Sequence, residues 1–259
     1  MNPGLLLHFV RQDLVDRHAG SALGALWTLL LPLANILIFT LVFSRIMGAR
    51  LEMLGMESLG AYSYSVYLVT GLLAWNCFAN TLIRITQVFH EKANLIGKVR
   101  LSLFSLPLFV LVSETVVYLI SMGFFVVFLW LIDFSWSWQW LWLPLIFAAQ
   151  MVLAYGLGLI CAVLSVFLRD IKEFVGVVTQ FWFWMTPIVY VTSVLPERWL
   201  PLFAMNPISH TTQALRDTLI LGRAPDLATL AAVLGGGVLL VLIGLFIGGK
   251  LEKDIRDFL

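Results

Sequence analysis

Charge is what this sequence has least of: Asp, Glu, Lys and Arg make up 12% of its 259 residues, against 61% hydrophobic. An average soluble chain carries about 25% charged residues, so there is too little here to cover a water-soluble globule. The chain reads as an integral membrane protein. An excess of one sign is missing too. The net charge is +1, which attracts no polyanion and disfavours nucleic-acid binding. Cysteine is scarce: Cys77 and Cys161 both lie in apolar runs, which excludes a disulfide framework or a zinc site. No phosphate loop of the form GxxxxGK(S/T) occurs, so ATP is not expected to bind here in the P-loop manner. There is no HExxH, and His8, His18, His90 and His210 are scattered, so no metal site is expected. No GxSxG elbow sets a serine beside a base. A cleavable signal is not expected, because Arg11, Asp13, Asp16 and Arg17 interrupt the first apolar stretch.

What is present is length of apolar run. A membrane span needs about 20 mostly apolar residues. Six stretches qualify: 23–47, 62–84, 103–132, 139–167, 174–193 and 227–249. The runs are continuous rather than alternating, which favours helices over a barrel. The expected fold is therefore an all-α integral membrane protein of six transmembrane helices in one membrane domain, 1–259. With the N-terminus inside, the inner segments hold Arg11, Arg17, Arg84, Lys92, Lys98, Arg100, Arg169, Lys172, Lys250, Lys253 and Arg256. The outer segments hold Arg45, Arg50, Arg198, Arg216 and Arg223. Eleven basic residues against five favour both ends inside. Trp136, Trp138, Trp140 and Trp142 bracket the outer end of the third and fourth spans as an interfacial belt would.

Three segments are not spans. In 1–22, Leu6, Val10 and Leu14 stack at i, i+4 while His8, Gln12 and Asp16 fall on the other face. This is an amphipathic helix suited to the inner membrane surface, or a polar lead-in to the first span. Residues 84–102 form the longest inner loop, with Phe89, His90, Glu91, Lys92 and Asn94 polar enough to leave the membrane before Gly97; they read as a docking surface for a cytosolic partner or as a solvated connector. Residues 194–226 carry Pro196, Pro201, Pro207 and Pro225 around short apolar pieces, with helix character at 209–221. Backbone that dips partway into a bilayer must be buried in protein or line a wet cavity, so this segment reads as a gate at the outer mouth, with a plain external loop as the alternative.

Between the fourth and fifth spans sits a charged turn, Arg169, Asp170, Lys172 and Glu173. One acid, Glu114, lies inside the third span, where a charge costs roughly 2.5–3.5 kcal/mol on insertion scales. Tyr118 at i+4 shares its face and offers a hydrogen bond, and no intramembrane basic partner stands out. Glu114 either anchors another helix or serves a pore or ion-coupling role. The aromatic load is high: Trp27 and Phe39 in the first span, and Phe181, Trp182, Phe183, Trp184 and Tyr190 in the fifth. Aromatic faces stack on the C–H faces of sugar rings and let a polymer slide. Adjacent helical residues point about 100° apart, so not all of 182–184 can face one lumen.

These segments together resemble the membrane permease of a type-2 ABC exporter, in the branch that exports O-antigen, teichoic acid and related polysaccharides. The resemblance runs along essentially the whole chain. It is carried by Arg17-His18-Ala19-Gly20-Ser21-Ala22-Leu23-Gly24-Ala25-Leu26-Trp27 with Pro32, by Gly71-Leu72-Leu73-Ala74-Trp75 with Phe78 and Asn80, and by Asn94-Leu95-Ile96-Gly97-Lys98-Val99. Its strongest part is Phe167-Leu168-Arg169-Asp170-Ile171 through Phe183, Thr186-Pro187-Ile188-Val189-Tyr190 and Leu195-Pro196, with Asn206-Pro207 and Arg216 following. The chain departs from the pattern at His18, where an aromatic is usual, and at Leu103-Phe104, which lack the usual proline.

The resemblance implies a homodimeric permease in the bacterial cytoplasmic (inner) membrane, bound to two copies of a separate ATPase that holds Mg-ATP. The chain itself would then be a transport subunit rather than an enzyme, with no cofactor of its own. Phe89, His90, Glu91, Lys92 and Asn94 would meet the ATPase. The first and fifth spans would line the channel, with Trp27, Phe39, Phe181, Trp182, Trp184 and Tyr190 as lining candidates. The cargo would be a polymer on undecaprenyl diphosphate, for which Arg11, Arg17, Lys98 and Arg100 are candidates for a cationic doorway, Arg169 less so because Asp170 and Glu173 adjoin it. Two alternatives stand beside this: the same fold exporting a drug or simple lipid, and an ion-coupled secondary transporter built on Glu114.

Overall fold

The computed structural model describes residues 3–17, 20–42, 62–96, 103–192 and 195–259. Among these residues the chain is all-helical: α1 (Pro3–Asp16), α2 (Trp27–Thr40), α3 (Ser63–Glu91), α4 (Ala93–Ile96), α5 (Pro107–Leu131), α6 (Leu143–Phe167), α7 (Ile171–Trp184), α8 (Leu200–Ala204), α9 (Pro207–Leu219) and α10 (Leu227–Phe258). Among the described residues four helices are long and apolar enough to cross a membrane: α3, α5 with its lead-in from Leu103, α6 with its lead-in from Trp138, and α10.

The expected first and fifth spans differ. Each of α2 and α7 has 14 residues, a rise of about 21 Å, short of the roughly 30 Å hydrocarbon core. The 43–47 part of the first lies outside the described residues. The fifth stops at Trp184 because Pro187 lacks an N–H and biases Thr186 away from the helical region. The second span, in turn, is longer than its apolar run: α3 continues to Glu91. Ile85, Val88 and Phe89 keep the i, i+3, i+4 spacing and stay buried, so residues 84–91 of the expected 84–102 loop continue α3, and Ala93–Ile96 adds the short α4.

Two buried clusters mark the ends of the bundle. At one end Phe9 and Val10 of α1, Phe89 of α3, Phe109 of α5, Val163 of α6 and Ile255 of α10 share one core. The amphipathic helix thus packs its apolar face on the bundle and leaves His8, Gln12 and Asp16 exposed. It lies at the same end as the last turn of α10. At the other end Val66 and Tyr67 of α3 meet Phe125 and Leu129 of α5 and Leu219 of α9.

The tightest packing joins α6 to α10, which run parallel. A Cβ on Gly156 would lie 2.8 Å from the Val241 nitrogen, and one on Gly237 2.9 Å from the Leu153 nitrogen. Without a hydrophobic drive between helices in lipid, close backbone approach through small residues supplies the contact. Gln150 adds a polar tie: its Nε2 donates to the Ala74 carbonyl of α3 at 2.7 Å, and its Oε1 accepts from Thr211 of α9 at 3.1 Å.

Candidate functional site

The site is built on the break after α7. On α7 itself the spacing separates two faces. Val175 and Thr179 are buried, while Phe174, Val177, Phe181 and Trp184 recur at i, i+3, i+7, i+10 and face outward, Phe181 at 70% and Trp184 at 60% exposure. Trp182 and Phe183 turn in. The Trp182 ring stands edge-on to Phe78 at 5.2 Å and its Nε1–H donates to Asn206 Oδ1 at 2.9 Å; Phe183 packs against Trp75. The expectation that neighbouring aromatics divide between two faces holds on this helix.

From Met185 to Tyr190 the backbone is not helical, yet its carbonyls are matched. The Met185 carbonyl accepts from Asn206 Nδ2 at 3.1 Å, and Thr186 O from the Ile188 N–H. Pro187 O accepts from Arg216 Nη1 at 2.6 Å and Ile188 O from Arg216 Nη2 at 3.0 Å. Val189 O accepts from the Tyr64 hydroxyl and Tyr190 O from the Tyr67 hydroxyl. A broken helix survives in a protein interior only in this way, because buried backbone groups left unmatched are costly.

Arg216 organises the break. It is 1% exposed, its Nε and Nη2 also donate to the Tyr67 carbonyl, and its guanidinium carbon lies 3.4 Å from the Tyr67 ring centroid. Gly71 makes the room: a Cβ there would come within 2.5 Å of Nη2. Asn206 caps α9, its Oδ1 accepting from the Ile208 N–H at 3.0 Å while its amide holds the Thr186 hydroxyl and the Met185 carbonyl. The expected helix character at 209–221 is α9, Pro207–Leu219, preceded by the short α8. Around the break lie two open grooves, of about 460 Å³ beside Phe181, Met185, Leu202 and Met205 and about 540 Å³ beside Trp184, Tyr190, Trp199 and Phe203. Tyr190 is half-buried, edge-on to Phe203 at 6.2 Å.

At the α1 end of the bundle the intramembrane acid finds partners. Glu114 is 2% exposed, and its Oε1 accepts from Arg17 at 2.8 Å and Arg84 at 2.7 Å. Asp13 completes a square, pairing with Arg17 at 3.1 Å and with Arg84. Burial alone would raise the Asp13 carboxyl; the Arg84 and Arg17 guanidiniums more than offset this and hold it below the ordinary carboxylate range. The expectation that Glu114 has no basic partner is corrected, because α1 folds Arg17 back onto α5 and the extension of α3 brings in Arg84. Tyr118 does not bond Glu114; its ring stacks on Phe147 at 4.4 Å.

Other candidates fall as follows. Trp27 and Phe39 lie on one wall of a cavity between α2, α3 and α5. Phe89 is fully buried and packs the bundle core, so it offers no surface to a partner. His90, Glu91 and Asn94 are exposed at that end, with the His90 Nε2 2.9 Å from the Ser165 carbonyl that accepts from it. Lys92 sits 5.5 Å from the Phe109 ring. Of the doorway candidates Arg11 is exposed, Arg17 is held in the charge square, and Lys98 and Arg100 lie outside the described residues. Arg17 and Arg84 were missed as partners of Glu114, and Asp13 as the second acid that pairs with both. Arg84 at the polar limit of the second span, with Arg17 and Asp13 at i, i+4 in the first segment, was the available signal.

The profile of the ABC-2 type transporter family matches residues 5–220. An O-antigen export system permease protein RfbA of Klebsiella pneumoniae is 28% identical, over 98% of this chain and 95% of its own length. A protein of the same description from Myxococcus xanthus is 26% identical, over 92% and 88%.

Proposed function

The chain belongs to the ABC-2 type transporter family, and from that premise we propose that it is the channel-forming permease subunit of an ATP-driven exporter of lipid-linked polysaccharide, O-antigen or a related polymer. The observation that carries this reading is the exposed aromatic face of α7, Phe174, Phe181 and Trp184, running into the grooves beside Tyr190, Trp199 and Phe203. The relatives' descriptions as O-antigen export permeases, over nearly their full lengths, support it.

In this reading six spans cross the bacterial inner membrane with both ends inside, α2 and α7 forming the cores of the first and fifth. A second copy faces the α7 stripe, so that the two stripes bound a wet channel. A sugar polymer is strongly hydrated and needs such a route rather than a lipid-facing groove. The Arg216-held break with α8 and α9 forms the outer gate. Two copies of a cytosolic ATPase, charged with Mg-ATP, dock at the end that carries α1, His90, Glu91 and Asn94, and the polymer comes in on its undecaprenyl diphosphate carrier. The pairing of Glu114 with two arginines favours an anchoring role over ion coupling, because its carboxylate is spent tying α5 to Arg17 beyond α1 and to Arg84 of α3.

The test is made in the chain's own cell. Deleting it is expected to remove the polymer from the surface and leave lipid-linked polymer inside. Restoring the chain rescues export only with an active ATPase partner. Surface polymer unchanged by the deletion would refute the reading.

A further inference from the structure

We infer that the cavity between α2, α3 and α5 is a binding pocket for a single neutral sugar unit. The inference rests on the exporter reading for the origin of that sugar, and on the cavity itself for its chemistry. The space is about 300 Å³, at the small end of the roughly 300–1,000 Å³ of ligand pockets. Each wall keeps helical spacing: Trp27, Leu31 and Asn35 on α2, Leu72, Asn76 and Asn80 on α3, Glu114 and Tyr118 on α5. Asn76 and Asn80 fall near the middle of the 29-residue α3, and Asn35 lies well inside α2.

These three carboxamides make no hydrogen bond among the described residues. At membrane depth an amide facing hydrocarbon is strongly disfavoured, so the cavity is built for water or a polar occupant rather than a lipid tail. Each carboxamide offers two donors and an acceptor, which complements hydroxyls. Trp27, Phe39 and Tyr118 supply ring surface beside them. The charged end of the cavity argues against an anion. Arg17 and Glu114 border it, and with Arg84 and Asp13 they make a network of two cations and two anions. A diphosphate or acidic sugar gains no net attraction there, whereas a neutral pyranose loses nothing.

The test uses the permease–ATPase complex in lipid nanodiscs. In a C77A/C161A background, Asn76→Cys is expected to react with a charged methanethiosulfonate reagent. Oligosaccharide freed by mild acid from the cell's own surface polymer slows that reaction about tenfold, the scale of a few neutral hydrogen bonds, while inorganic pyrophosphate does not. No labelling of a folded complex, labelling that neither probe slows, or protection by pyrophosphate instead would each overturn the pocket. A second variant, N76L/N80L, keeps the wall apolar and spares the charge network. It is expected to raise by about tenfold the lipid-linked polymer concentration that half-saturates ATPase stimulation; an unchanged value overturns the proposal. The two readings fail separately: export that survives deletion of the chain defeats the exporter, whereas export that needs the chain but ignores N76L/N80L defeats only the pocket.

Discussion

Arg216 is bonded to carbonyl oxygens of two segments, Tyr67 on α3 and Pro187 and Ile188 after α7, so its role is to supply the donors that the Pro187 and Ile188 carbonyls lack because the helix has ended. Arg216→Met would leave the Pro187 and Ile188 carbonyls without this donor, at about 1–3 kcal/mol for each buried group left unsatisfied. Arg216→Lys recovers only part, since a point-like ammonium cannot span positions that a planar fork reaches together. Gly71→Ala should resemble Arg216→Lys by displacing the guanidinium. Thermal unfolding in detergent reads all three, and an Arg216→Met protein as stable as the parent would show the break held by other means. Glu114 acts differently, as the buried corner of a charge square. Glu114→Gln strips one carboxylate from two arginines, and breaking a buried pair from one side costs about 3–5 kcal/mol. The lower end is expected, because the Arg17 and Arg84 side chains are 20% and 22% exposed. Adding Arg84→Gln should return part of the loss, which a double-mutant cycle measures. Asp13 gives the square its pH dependence. Its carboxyl is held below the ordinary range in the folded state, so its stabilisation is present above the unfolded value and fades as the pH falls through the folded one. The stability gap between parent and Asp13→Asn should therefore be full at about pH 7 and close as the pH is lowered below about 4; a gap that persists in acid would contradict this.

Among the helices, the closest contact is also the one with least side chain. Gly156 and Gly237 let α6 and α10 touch backbone to backbone, so Gly237→Leu forces the helices apart rather than filling a hole. Overpacking costs typically about 1–3 kcal/mol, and more is expected where the obstruction is main chain. Gly236→Leu, whose added Cβ meets nothing within 4 Å, is the control; the pair should separate in the yield of folded protein recovered from membranes. These glycines carry no charge and no pattern of their own, and along the sequence α10 is one more apolar run. Strong local patterns were legible: the α1 faces, the helix character at 209–221 that the structure places at Pro207–Leu219, and the charged turn before α7. Element ends were not. The apolar run of the second span stops near Arg84, but Val88 and Phe89 carry the helix on to Glu91, because they find partners on α5 and α6 that hydropathy along one chain does not register. The halt of α7 at Trp184, well short of the expected 193, is marked in the sequence only by Pro187. What tells a kink from a full break is Arg216, some thirty residues further on.

The division of α7 into an inward and an outward aromatic face decides which aromatics serve the bundle and which serve whatever lies beyond it. Helical spacing alone made clear that Phe181, Trp182, Phe183 and Trp184 could not share one side. It did not say which side was core, because that depends on where Phe78, Trp75 and Asn206 stand in three dimensions. The charge square was hidden for the same reason: Arg17 and Glu114 are 97 positions apart and meet only because α1 folds back on α5. These placements yield a prediction for the whole molecule. Trp182→Ala removes a ring packed on Phe78 and the bond to the α9 cap, so it should act on the fold. The loss of a large buried aromatic is about 3–5 kcal/mol, toward the low end because Trp182 is only partly buried, and the amount of protein in the membrane should drop. Phe181→Ala and Trp184→Ala remove rings that are mostly exposed. They should leave unfolding temperature and membrane level near the parent's while lowering surface polymer and, if a second copy lies against the stripe, the fraction of permease recovered as a dimer. Quantifying surface polysaccharide, membrane protein level and crosslinked dimer in the same cells separates the two outcomes. Equal loss of protein in all three variants would mean that the outward face is structural; no loss of export in Phe181→Ala with Trp184→Ala combined would remove α7 from the translocation path.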